Sequence, residues 1–158
     1  MHPLFILYVA NLLFMCAFSA YFLLPVYLAD LGATKSLIGT IMSSMGVSNT
    51  ITLIWIYFWG AERDTRRLML LGCMATTLSC AGMVMTPHLF WITAIRLLQG
   101  FAFCLYFVSL NTYVTEIYPP SEHAKQIGLL GIITLATQSA APAAAEAFVA
   151  ATSFQALF

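Results

Sequence analysis

A chain of 158 residues that is 61% hydrophobic and 14% aromatic, with 8% of its residues charged, lies far from an ordinary soluble domain, in which about a quarter of the residues are charged. Six Lys and Arg balance six Asp and Glu, so the net charge is zero and there is no basic surface to hold nucleic acid, which is excluded as a partner. A soluble domain of this size buries only about 70% of the surface its unfolded chain exposes, so a sequence this apolar needs a lipid bilayer to cover the remainder.

One helical crossing needs roughly 20 mostly apolar residues. Apolar runs almost free of charge predict spans at residues 4–28, 37–60, 68–85, 89–113 and 127–150. The first run has no Lys or Arg ahead of it and is longer than the roughly 7–15 residues of a signal-peptide core, so it is expected to remain as a span. Residues 152–158 begin a sixth apolar run and stop after about two turns, so the chain is expected to be truncated in helix six. Runs such as LFILYVANLLFMCAF do not alternate between apolar and polar, which argues against a β-barrel. The expected fold is an all-α membrane protein: a single multi-pass bundle over residues 1–158, with five complete helices and the start of a sixth.

Turn residues separate the runs: Asp30, Gly32 and Ser36 in one break, Thr86 and Pro87 in another, Pro119, Pro120 and Ser121 in a third. All connections are short, which predicts antiparallel neighbours. With the N-terminus in the cytoplasm, Arg63, Arg66, Arg67 and Lys125 fall on the inner side and only Lys35 on the outer, as the positive-inside rule favours. Cys16, Cys73, Cys80 and Cys104 sit inside apolar runs at spacings that match neither a zinc site nor a CxxC motif, and read as small packing residues.

The scarce charges are concentrated. The stretch GAERDTRRL, residues 60–68, is either a positive-inside anchor or one half of a charge network. Glu116 supplies the other half, because a carboxylate at the negative C-terminal end of a helix calls for a cation such as Arg66 or Arg63. Arg96 lies within the fourth span, roughly 10 Å below its outer end by helix rise. Burying it costs about 2.5–3.5 kcal/mol on insertion scales, and an intramembrane arginine usually faces a bundle interior or a wet cavity. Gln99, Phe103 and Tyr106 recur at helical spacing with it. Glu146, at a similar depth in the fifth span, reads either as the partner of Arg96 or as a carboxylate that reaches the outer interface. Asn11, Asn49, Asn111, Thr134 and Gln138 are the other polar groups within spans, of the kind that hydrogen-bond between helices. No HExxH, GxSxG, P-loop or dinucleotide fingerprint occurs and no metal-ligand set is spaced for binding, so an enzyme is not expected and no cofactor is implied.

Taken together, these stretches resemble the N-terminal half of a major facilitator superfamily transporter. The family's loop between helices two and three reads Gly, three residues, Asp, Arg, any residue, Gly and a basic pair. FWGAERDTRR is similar to it, with Glu62 as the acid, Arg63 as the first arginine, Arg66 and Arg67 as the pair, and Phe58 and Thr65 at the glycine positions. RLLQG, from Arg96 to Gly100, resembles the fourth-helix motif of Arg, two residues, Gln and Gly. EIYPPSEHAKQIGLLG resembles the segment leading into helix five, with Glu116 as its acid and Lys125 as its base, and TQSAAPAAA keeps Pro142 of the antiporter motif in that helix. LPVYLADLGATKSLIGT resembles the end of helix one, the external loop and the start of helix two.

The resemblance implies a twelve-helix protein whose two six-helix halves rock about a central substrate site. Asn11, Arg96, Gln99, Gly100, Gln138, Pro142 and Glu146 would then belong to the substrate cavity or the coupling path, and Glu62, Arg63, Arg66, Arg67 and Glu116 to a cytoplasmic latch. The function expected is secondary active transport of a small molecule by alternating access, with efflux slightly favoured over import by Pro142; proton coupling through Glu146 or the latch carboxylates, sodium coupling and facilitated diffusion are all open. The implied partners are a small-molecule substrate, the lipid bilayer, and a C-terminal half or a second copy of the chain. The implied location is the bacterial inner membrane, with the N-terminus in the cytoplasm. The competing expectation is a non-transporting membrane subunit or degenerate half-transporter that acts as an interaction partner.

Overall fold

The computed structural model describes residues 3–60, 64–85 and 88–151, and every element among them is helical. In a hydrocarbon solvent a segment must satisfy its own backbone N–H and C=O groups, and the helix does so locally. The order is α1 (Pro3–Ser19), a 3₁₀ turn (Ala20–Leu23), α2 (Leu24–Asp30), α3 (Lys35–Trp55) running on into a π turn (Ile56–Gly60), α4 (Thr65–Met85), α5 (Leu89–Ile117) and α6 (Pro120–Ala151).

The first expected span is thus one apolar stretch, Phe5–Asp30, whose helix tightens in its middle. Pro25 causes this: it has no N–H to offer the Tyr21 carbonyl and its ring crowds that oxygen. The turn before it winds to 3₁₀ geometry, with the Leu24 N–H donating to the Tyr21 carbonyl. The stretch ends in a Schellman motif, in which the Gly32 N–H donates to Ala29 O at 2.9 Å and the Ala33 N–H to Leu28 O at 3.0 Å. Gly32 takes φ +79°, a conformation open to glycine at little cost. Thr34 then caps α3, its Oγ1 accepting from the Leu37 N–H at 3.4 Å.

The gap between the expected spans at 89–113 and 127–150 is almost entirely helix. α5 continues to Ile117 and α6 begins at Pro120, so only Tyr118 and Pro119 connect them. Pro119 disfavours helical geometry at Tyr118 and ends α5. Pro120 opens α6 in the first turn, where a missing N–H leaves no helical carbonyl unpaired, and Glu122 lies in that turn, where a carboxylate interacts favourably with the helix dipole. Residues 86–87 and 152–158, which held an expected turn and the expected start of a sixth helix, lie outside the described residues.

Among the described residues four stretches are long and apolar enough to cross a bilayer: Phe5–Asp30, Lys35–Phe58, Leu89–Ile117 and Pro120–Val149. α4 differs in carrying Arg66 and Arg67 in its first turn, and is uncharged from Leu68 to Met85.

The chain divides into two compact units. One comprises Met1–Leu24 and Val114–Leu157, and within it α1 lies along α6. Tyr8 donates to Gln126, and the Asn11 Nδ2 donates to Leu130 O at 3.4 Å and to Thr134 Oγ1 at 3.3 Å. The contacts advance together along both helices, so α1 and α6 run parallel. The other unit holds Pro25–Tyr113. Within it α4 and α5 are antiparallel, with Gly82 meeting Ile95 and Gly72 meeting the backbone of Ala102 and Tyr106. α3 meets α5 at Gly100, where an added Cβ would lie 2.2 Å from the Met45 carbonyl oxygen, and the Ser48 hydroxyl donates to Leu97 O at 2.6 Å.

Candidate functional site

Among the described residues of the second unit the buried charge is Arg96, 4% exposed on α5. Its Nη1 donates to the Oε1 of Gln99, one turn along the same helix. Gln99 is fully buried, and because its Oε1 is engaged by the guanidinium its Nε2 is turned elsewhere and has no hydrogen-bond partner. Tyr106, two turns further on, is also fully buried, while Phe103 is half-buried and stacks on Phe107 with ring centroids 5.5 Å apart. The side chains expected on the Arg96 face are therefore mostly covered, and a neutral amide oxygen takes up part of the arginine's hydrogen-bonding capacity.

Gly100 closes this segment. Its missing side chain lets the α5 backbone approach that of α3 more closely than any Cβ permits. RLLQG thus combines a buried cation, its neutral acceptor and the helix contact that fixes their height. A family model described as Major Facilitator Superfamily matches residues 5–158. The chain belongs to the major facilitator superfamily. Superfamily membership and the long apolar helices make it an integral membrane protein of transporter type. No protein with a curated description matches it.

For this superfamily protein the second charged region is the start of α4. Glu62 and Arg63, expected in the latch, lie outside the described residues. Asp64, which the motif reading passed over, is the N-cap of α4: its Oδ1 accepts from the Arg66 N–H at 3.0 Å and its carbonyl from Arg67 and Leu68 at 3.0 and 3.2 Å. Its Oδ2 lies 3.6 Å from the Arg67 Nε, an exposed pair that contributes little. The Arg66 guanidinium instead lies over the Tyr113 ring, 5.3 Å from its centroid, near the C-terminal end of α5. Glu116 is exposed one turn further along that helix. An Asp directly before a helical run is a readable capping signal, whereas nothing in the sequence pairs Tyr113 with Arg66.

In the first unit Asn11 is fully buried and serves as a bridge between helices, with Thr134 as one acceptor. Its Oδ1 has no hydrogen-bond partner. Asn111, expected among the interhelical groups, bonds back to Phe107 O of its own helix at 2.8 Å. Gln138 and Pro142 are half-buried on α6, and Glu146 is exposed one turn beyond Pro142. Pro142 sits inside α6 and leaves the Gln138 carbonyl without its usual helical donor. Tyr8 and Gln126, not singled out by the sequence, extend the Asn11 contact toward the start of α6, where the Gln126 Nε2 donates to Glu122 Oε2 at 3.2 Å.

Proposed function

We propose that the chain is the first half of a secondary active transporter that moves a small molecule by alternating access, with efflux coupled to protons as the favoured mode. The half crosses the bacterial inner membrane from a cytoplasmic N-terminus, and α4 is its third complete span, bringing the total to five, since the stretch from Leu68 to Met85 is about 27 Å long at helical rise. The half works against a second six-helix half, supplied by a longer chain or by another copy of this one.

The observation that carries this reading is the superfamily match together with the Arg96–Gln99 pair. A buried cation and an amide donor with an open Nε2 form a polar centre of the kind that substrate or coupling-ion contacts need in the middle of a bundle. Asn11, Gln138, Pro142 and Glu146 are assigned with it to the cavity or coupling path, and Gly100 to its support. Arg66 and Arg67, with Glu62, Arg63 and Glu116, form the cytoplasmic latch of the outward-open state. The test is a substrate panel in proteoliposomes with and without a proton gradient. Gradient-dependent flux that Arg96→Ala abolishes supports the reading; absence of flux for every substrate from a folded protein removes it.

A further inference from the structure

We propose that Tyr113 is the positioning residue for Arg66, holding its guanidinium at the cytoplasmic end of α5 through the face of the ring. The proposal rests on the latch reading above. Arg66 stands in the first turn of α4, where the helix dipole disfavours a cation. Asp64 does not relieve this for Arg66: its carboxylate is taken by the Arg66 backbone N–H and faces the Arg67 guanidinium. The Arg66 side chain turns to the neighbouring helix and lies 5.3 Å from the centroid of Tyr113, in the range where a ring quadrupole attracts a guanidinium.

That meeting is built into the packing of α4 on α5. Gly82 faces Ile95, Gly72 faces Tyr106, and in the same antiparallel register Arg66 faces Tyr113. The close approach at Gly72, where a Cβ would stand 2.8 Å from the Tyr106 nitrogen, brings the helices near enough for the contact. Tyr113 also lies toward the C-terminal, negative end of α5, so the cation leaves the wrong end of one dipole for the right end of another. The ring therefore determines where the latch cation waits, and a latch carboxylate captures Arg66 from a fixed place instead of from a freely rotating side chain.

The test compares Tyr113→Phe, Tyr113→Trp, Tyr113→Leu and a series of fluorinated phenylalanines at position 113, each in the full-length protein in liposomes. The readout is the ratio of cytoplasm-open to cytoplasm-closed conformers, obtained by cross-linking engineered cysteine pairs at the cytoplasmic helix ends. Arg66→Ala serves as the reference. Phe and Trp should keep the wild-type ratio, Leu should move it about two- to fivefold toward the Arg66→Ala value, and successive fluorination should move it in graded steps. Fluorination hardly alters ring shape, so a residue that merely fills space would give no gradation, and the series stays informative if Leu fails to fold. A shift with Arg66→Ala but a flat response across the ring series overturns the role of Tyr113 and leaves the latch standing. No shift with Arg66→Ala overturns the latch reading and this proposal with it.

Discussion

Arg96 donates its Nη1 hydrogen bond to Gln99, so the buried cation of α5 is held by a neutral amide from its own helix. An amide acceptor costs less to desolvate than a carboxylate and does not cancel the charge.

Removing that acceptor should be felt at once. Gln99→Leu deprives a buried guanidinium of a hydrogen bond and should lower stability by about 1–3 kcal/mol, seen as a fall in melting temperature in detergent. Gln99→Glu should regain the stability and still impair transport, because it neutralises Arg96. A Glu variant with wild-type flux would show that the charge of Arg96 plays no part in the cycle.

Gly100→Ala places a methyl group 2.2 Å from the Met45 carbonyl oxygen, a backbone atom that no side-chain rotation can move. α3 and α5 must separate, at a cost of about 1–3 kcal/mol and with loss of the Ser48 to Leu97 hydrogen bond. Thermal unfolding of the variant measures this, and an unchanged melting temperature would mean the two helices are not in contact there.

Asn11→Ala removes both hydrogen bonds from α1 to α6 and should lower stability by about 0.6–1.7 kcal/mol. A double-mutant cycle with Thr134→Val should give a favourable coupling energy smaller than that loss, since the two substitutions share only the Asn11–Thr134 hydrogen bond. If Asn11 contacts the substrate instead, KM rises and the cycle is additive.

Asp64→Ala should cost about 1 kcal/mol through loss of the α4 cap. Asp64→Asn keeps a capping oxygen and should recover most of that loss. Equal melting temperatures for the two variants would place the contribution of Asp64 in its charge near Arg67 and not in its capping oxygen.

Much of the architecture is legible in the residues alone, and the reason is the solvent. In hydrocarbon each segment must pair its own backbone groups, so an uncharged run of sufficient length becomes a helix whatever its neighbours do. Gly32, Pro119 and Pro120 mark breaks for equally local reasons. The order of motifs from Glu62 to Pro142 was enough to indicate the superfamily, because short spacings along one helix survive without knowledge of the fold.

What each helix face touches was decided by tertiary packing. Asn11 and Thr134 stand 123 positions apart, and their meeting depends on the rotation of two helices that are apolar on almost every side. When lipid and neighbouring helix are equally apolar, periodicity does not reveal which face turns inward. Gly100 reads in the sequence as one letter of a motif, and the structure makes it the point where two backbones touch. Arg66 reads as a cytoplasmic anchor, and only the register of α4 on α5 puts it over Tyr113. Local chemistry fixed where the helices are; the close approach of backbones at small residues decided which side chains they bring together.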